Sequence, residues 1–314
     1  MAEKLIQVGE SIHASIPAPG KAMRQLIDLG QGAYENSSEP LDYIISLIES
    51  QAEDGADYIA VNVDSFGESD PGLAGKLMKE YVRLVRKFGK GVPACIDSSD
   101  DEVLIAGLKE WYGTEQQVKQ PLLNSIKTYN ADRLLPLKKD YDYAFIGLLV
   151  SEEKSAEPPS VRQLVNIAER IFEKAVDGYG FKPDEIFFDS TVFPLAIDMP
   201  MEPDTPGYTY RAFQTIKTIK SHPRLKQCHC SLGISNCARD LPARRIGICR
   251  AYVAKAMEYG LDAAIVNVNH KYGQKEPDPK LLELIDAYAQ MDGSAEKMTR
   301  AMALMGQFCQ QSKK

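Results

Sequence analysis

A chain of 314 residues with 44% hydrophobic and 26% charged residues has apolar material for a sizeable core and does not read as disordered. Its formal net charge of -7, without a basic stripe interleaved with aromatics, argues against nucleic acid as a partner. No run approaches the roughly 20 apolar residues of a membrane span. The opening stretch MAEKLIQVGES lacks the shape of a signal peptide, and six cysteines are too few for a disulfide scaffold, so a cytoplasmic protein with reduced thiols is expected.

Along the chain, short β-rich runs alternate with longer helical patterns. The runs are LIQVGES from Leu5, YIAVNVD from Tyr58, PACIDSS from Pro93, PLLNSI from Pro121, YAFIGLLV from Tyr143, EIFFDST from Glu185, CHCSLGISN from Cys228 and AAIVNVN from Ala263. They are nearly continuous apolar segments, the pattern of parallel strands covered on both faces. Amphipathic segments such as LDYIISLIESQAEDGA and VRQLVNIAERIFEKAVDGYG lie between them, the second closing in a Gly-x-Gly break. Residues 11 to 40 read as a Pro/Gly-rich connection with at most a short helix, and the tail 294–314 as one additional helix. A doubly wound open sheet would show a Gly-rich phosphate turn, and neither GxGxxG nor GxxxxGK[ST] occurs. Eight strand–helix units without a composition break predict one α/β domain over residues 1–314, a TIM (β/α)8 barrel.

The catalytic face of such a barrel lies at the carboxyl ends of its strands. Polar residues gather there: Glu10 and His13 after the first strand, Asn62 and Asp64 on the second, Asp97, Asn124 and Asp189 at the third, fourth and sixth, Ser235 and Asn236 at the seventh, Asn267 and Asn269 at the eighth. Any one of them is an ordinary helix cap or turn former, and Ser99 and Asp100 stand nearer the following helix than Asp97 does. The set converges on one mouth. Carboxylates and carboxamides without a Ser/His or Cys/His arrangement do not support covalent acyl transfer. They suit a ligand edge rich in N–H donors and carbonyl acceptors, such as the pyrimidine half of a pterin.

The strings VGES, VNVD, CIDSS, LLNSI, FIGLLV, IFFDS, LGISN and EYGLDAAI occur in one order over roughly residues 5 to 270. In that order they resemble the pterin-binding barrels, and within them the methyltetrahydrofolate–corrinoid methyltransferases. The resemblance implies that Asp97, Asn124 and Asp189, with Asn62 and Ser235, hold the pterin. It also implies that Asn236 is a mobile amide that hydrogen-bonds N5 during an in-line methyl displacement, which needs positioning rather than a protein nucleophile. Substrates would be tetrahydrofolate and 5-methyltetrahydrofolate, with the corrinoid (cobalamin) supplied by a partner protein. An Asp-x-His-x-x-Gly string is absent around all four histidines, His13, His222, His229 and His270. The family further implies a homodimer.

Departures ring the transfer site. His13 stands where the family's first strand commonly has Asn, Ala60 replaces a second-strand carboxylate, and Cys237, Ala238 and Arg239 follow Asn236 where relatives have a Gln three residues on. The overall pattern most resembles the branch serving glycine betaine demethylation, in which a methylated corrinoid protein donates to tetrahydrofolate. His13 and Arg239 are candidate contacts for the folate tail or the corrinoid. Arg239, Arg244 and Arg245 otherwise form a solvated face. Two alternatives remain: a dihydropteroate synthase-like condensing enzyme, whose Lys after the seventh strand is missing from SNCARDLPARR, and a non-catalytic pterin-binding protein. Cys228, His229, Cys230 and Cys237 are read as buried thiols rather than a zinc site, because strand alternation puts His229 on the face opposite its neighbours. No metal is expected.

Overall fold

The computed structural model describes residues 4–68, 70–113, 118–151, 159–198, 204–243 and 245–311. Within them the apolar runs form eight parallel strands: β1 (Ile6–His13), β2 (Tyr58–Asn62), β3 (Ala94–Asp97), β4 (Leu122–Ile126), β5 (Ala144–Leu148), β6 (Ile186–Asp189), β7 (His229–Ser231) and β8 (Ala263–Val266). Hydrogen-bonded neighbours follow the order β7-β6-β5-β4-β3-β2-β1-β8. A single bridge between Gly233 and Ile265 closes the remaining seam, with Ile265 N donating to Leu232 O at 2.9 Å. The result is a nearly closed α/β barrel of the TIM type.

The strands are largely apolar up to their carboxyl ends because both of their faces are covered. On β3, Ala94 and Ile96 pack outward into the core beneath the helices, while Cys95 joins the barrel interior. Val8, Ala60, Leu122, Ala144, Ile146, Phe187 and Ala263 complete that inner layer. Strand period two then places Glu10, Asn62, Asp97, Asn124, Leu148 and Asp189 one layer higher, each two residues beyond an inward-facing apolar residue. The floor of the mouth is thus set by alternation.

The described helices are α1 (Pro17–Leu29), α2 (Glu39–Glu53), α3 (Pro71–Phe88), α4 (Asp101–Tyr112), α5 (Ala131–Leu134), α6 (Val161–Phe172), α7 (Tyr208–Ser221), α8 (Arg245–Glu258), α9 (Pro279–Ala289) and α10 (Ala295–Gln311). Asp100 caps α4, its side chain accepting from Glu102 N at 2.8 Å, which leaves Asp97 out of the cap. No described helix is long and apolar enough to cross a membrane.

Three segments differ from the sequence reading. The first connection is more regular than expected: β1 continues to His13, and a full thirteen-residue helix, α1, follows. Pro17 sits in its first turn, where a missing N–H costs nothing, and Ala22, Met23 and Leu26 bury one face before Gly30 ends it at φ 74°. By contrast, β7 is shorter than CHCSLGISN and stops at Ser231, so Ile234–Ala238 forms a 3-10 turn that carries Ser235 and Asn236. Of the expected carboxyl-terminal helix, residues 312–314 lie outside the described residues, as does Arg244.

Candidate active site

A cavity of about 440 Å³ opens at the carboxyl ends of the strands, within the size range of small-molecule sites. Glu10, His13, Asn62, Asp97, Asn124, Asp189, Ser235 and Asn236 all line it, together with Asp64, Lys127 and Thr191. Strand register assembles the floor. Asn62 lies opposite Asp97, Asp97 opposite Asn124, and Leu148 opposite Asp189. The peptide between Asn124 and Ser125 is cis.

Three carboxyls here share one electrostatic condition. Burial pushes Glu10, Asp97 and Asp189 each up to about 7. Partial compensation comes from a Ser235 hydrogen bond to Glu10, from Asn62 beside Asp97, and from the Thr191 N–H on Asp189. Ser235 Oγ donates to Glu10 Oε2 at 3.2 Å, and Thr191 N to Asp189 Oδ1 at 2.7 Å. Thr191 adopts a left-handed φ of 66°, an uncommon conformation for a β-branched residue. Lys127 is the one Lys or Arg among the described lining residues, and its charge acts weakly on Asp97. With one compensating donor each, carboxylates desolvated to this degree have acceptor capacity to spare, and a ligand edge bearing several N–H groups would fill it.

The second strand end braces the third. Asp64 accepts from Ser98 Oγ at 2.5 Å, Ser99 N at 2.7 Å and Ser99 Oγ at 2.8 Å, while its own N–H donates to Asn62 Oδ1 at 3.2 Å. Those contacts tie together the segments that directly follow Asn62 and Asp97. His13 is held as a neutral ring: burial lowers its pKa, and Nδ1 accepts from Ser15 N at 3.1 Å, which leaves the proton on Nε2. Asn236 is exposed at the rim, on the short turn above the floor. Beneath that turn Cys237 and Cys249 are buried with their sulfurs 3.7 Å apart.

Some expected members stand elsewhere. Arg239 is exposed beyond the turn and does not line the cavity. Asn267 and Asn269 are also outside it; Asn267 caps its own turn, accepting from Asn269 N at 3.1 Å. There the local capping role prevails. Conversely, Lys127 and Thr191 were not singled out in the sequence. The only signal was position, since both follow the end of a strand. Cys228 and Cys230 lie in the outer core, whereas His229 stacks on Phe187 of the barrel interior at 4.5 Å and pairs with Asp262 at 3.0 Å. Among the described residues, no cluster of His, Cys, Asp and Glu is arranged to hold a metal ion.

A family model described as pterin binding enzyme matches residues 34–267. Methionine synthase of Mycobacterium tuberculosis (strain ATCC 25618 / H37Rv) is 25% identical over 240 residues, 74% of this chain and 19% of that protein. Methionine synthase of Mycobacterium leprae (strain TN) is 24% identical over 280 residues, 82% of this chain and 21% of its own. The chain therefore spans about a fifth of the length of these curated relatives. Among solved structures, a dihydropteroate synthetase superposes with a TM-score of 0.52 at 10% identity, over 98% of this chain and 96% of that one. Plasmodium falciparum HPPK-DHPS gives 0.50 at 14%, over 96% and 51%. At those identities the likeness is one of fold.

Proposed function

The chain belongs to the family of pterin-binding enzymes, and from that premise we propose that it is a methyltransferase acting on a reduced folate. It moves a methyl group between the cobalt of a corrinoid, presented by a partner protein, and N5 of tetrahydrofolate, in the direction of 5-methyltetrahydrofolate. The distant similarity to methionine synthases supports folate methyl transfer. The observation that carries the reading is the cavity floor itself. Asn62, Asp97, Asn124 and Asp189 face one space as acceptors and amides, with the exposed amide of Asn236 above them.

In this reading Asp97 and Asp189 accept from the pterin 2-amino group and ring N–H, and Asn62 and Asn124 complete its polar edge. Ser235 belongs to the same pocket. Asn236 hydrogen-bonds N5 and favours the reacting state over the resting one. No side chain forms a covalent intermediate; holding the two substrates in line is the enzyme's contribution. His13 and Arg239 would meet the folate tail or the corrinoid. The chain would work in the cytoplasm as a homodimer, in the branch that drains methyl groups from glycine betaine.

The loop SNCARDLPARR holds no Lys, which weighs against dihydropteroate synthesis. The test mixes the protein with tetrahydrofolate and methylcobalamin and follows cob(I)alamin absorbance together with 5-methyltetrahydrofolate. Turnover dependent on both substrates is expected. Tight folate binding without turnover would replace the enzyme by a carrier, and dihydropteroate formed from a pterin pyrophosphate and 4-aminobenzoate would replace it by a synthase.

A further inference from the structure

Methylating tetrahydrofolate turns a secondary amine into a tertiary one, so the proton on N5 must leave. We propose that Glu10 receives it. The inference rests on the methyl-transfer reading above. The N5 lone pair attacks the methyl carbon, and the methyl–cobalt bond breaks with its electron pair remaining on cobalt, which is reduced from cobalt(III) to cobalt(I). The nitrogen, now bearing both methyl and hydrogen, gives its proton to the Glu10 carboxylate and becomes neutral. Glu10 later returns that proton to water.

Geometry sets Glu10 apart. The register of β1 against β2 shifts between Gly9 and Ile12, so Glu10 and Ser11 form a bulge in an otherwise regular strand. Bulges re-aim side chains and recur beside active sites. This one is pinned from outside: the buried Gln51 side chain of α2 accepts from Ser11 N at 3.2 Å and donates to Leu47 O at 3.1 Å. A Cβ on Gly9 would stand 2.3 Å from Gln51 Oε1, so any larger residue there would displace the side chain that pins the bulge. Glu10 lines the cavity just past this pinned turn of the strand and accepts from the Ser235 hydroxyl, next in sequence to Asn236.

The other titratable groups serve less well. In the methyl-transfer reading Asp97 and Asp189 are committed to the pterin 2-amino group and ring N–H. Asp64 is filled by Ser98 and Ser99. His13 accepts through Nδ1 and carries its proton on Nε2, which leaves no lone pair for another. Lys127 is a cation. Cys249 and Tyr272, which also feel the Glu10 charge, sit behind the turn and outside the cavity lining. Burial raises Glu10 to about 7, a value that lets it take a proton and release it near neutrality.

The experiment measures methyl transfer from methylcobalamin to tetrahydrofolate at saturating folate from pH 5.5 to 8.5, alongside folate affinity by calorimetry. Wild type should speed up through about pH 7. Glu10→Gln should lose roughly 10²-fold or more in rate, lose that inflection, and keep folate affinity within about threefold. Glu10→Ala should regain rate when formate is added. A wild-type rate and inflection in Glu10→Gln overturns the proposal. So does a large loss of folate affinity with an unchanged saturated rate, which makes Glu10 a pterin-holding group. If wild type itself gives no turnover, the methyl-transfer reading falls and takes this inference with it.

Discussion

Replacing Asp189 by Asn should stabilise the unliganded protein while weakening its hold on folate. Asp189 is 6% exposed, and burial raises its pKa from 3.8 to about 7. A folded-state pKa above the unfolded one means that the native chain binds more protons than the unfolded chain between those values. Stability contributed at low pH is therefore lost as pH rises from about 4 to 7, and the loss levels off above 7. At about 1.4 kcal/mol for each pH unit of that span, the ionised carboxylate costs on the order of 4 kcal/mol at pH 8. An Asn keeps the oxygen that accepts from Thr191 N but buries a new amide donor at a cost of about 1–3 kcal/mol. A net gain of roughly 1–3 kcal/mol remains at pH 8, which for a chain of this size is a rise in melting temperature of about 2–5 °C. Towards pH 4 the ionisation cost disappears while the cost of the buried amide remains, so the sign should reverse and the variant should be about 1–3 kcal/mol less stable than wild type. Folate affinity should fall about 10- to 100-fold, the worth of a hydrogen bond to a charged acceptor. Thermal unfolding followed by circular dichroism at pH 4.5 and 8, with calorimetric folate titration, reads both. A lower melting temperature at pH 8 would mean that Asp189 is not destabilised by burial, and unchanged folate affinity would remove it from the pterin site.

The same carboxylates make folate affinity pH-dependent. Asp97 and Asp189 must be ionised to accept ligand N–H groups, so affinity should be flat above about pH 7.5 and fall about tenfold per pH unit per carboxylate below 7; calorimetry that shows equal affinity at pH 6 and 8 would contradict this. Asn236→Ala should lower the rate of methyl transfer about 10²-fold while leaving folate dissociation within a few-fold, separable by stopped-flow absorbance and equilibrium titration. Asp100→Ala removes the cap of α4 and should cost about 1 kcal/mol in urea unfolding, with little effect on folate binding. Gly107→Ala should destabilise by about 1–3 kcal/mol rather than gain from helix propensity, because the new Cβ would stand 2.6 Å from Ile96 Cγ2 and 2.8 Å from Met78 Cγ; a higher urea midpoint would mean that the interface yields.

Strand count and the phase of each strand are legible in the amino-acid sequence. Both are local properties: an apolar run of about five residues fixes a covered strand, and period two fixes which residues stand above Cys95, Leu122 or Phe187. That is why Asp97, Asn124 and Asp189 could be picked out one strand at a time. Tertiary structure decided whatever depends on elements distant in the chain. The bulge at Glu10 is held by Gln51 forty residues further along, and nothing within VGES announces it. Lys127, just past the end of β4, meets the cavity and the field of Asp97 only once the strands are in register. Asn267 matched the other strand-end amides in composition, yet its own turn claimed its side chain. The raised carboxyl pKa values have the same origin. Residue type supplies the carboxyl, but only closure of the barrel removes the water around Glu10, Asp97 and Asp189 and leaves three acceptors short of donors.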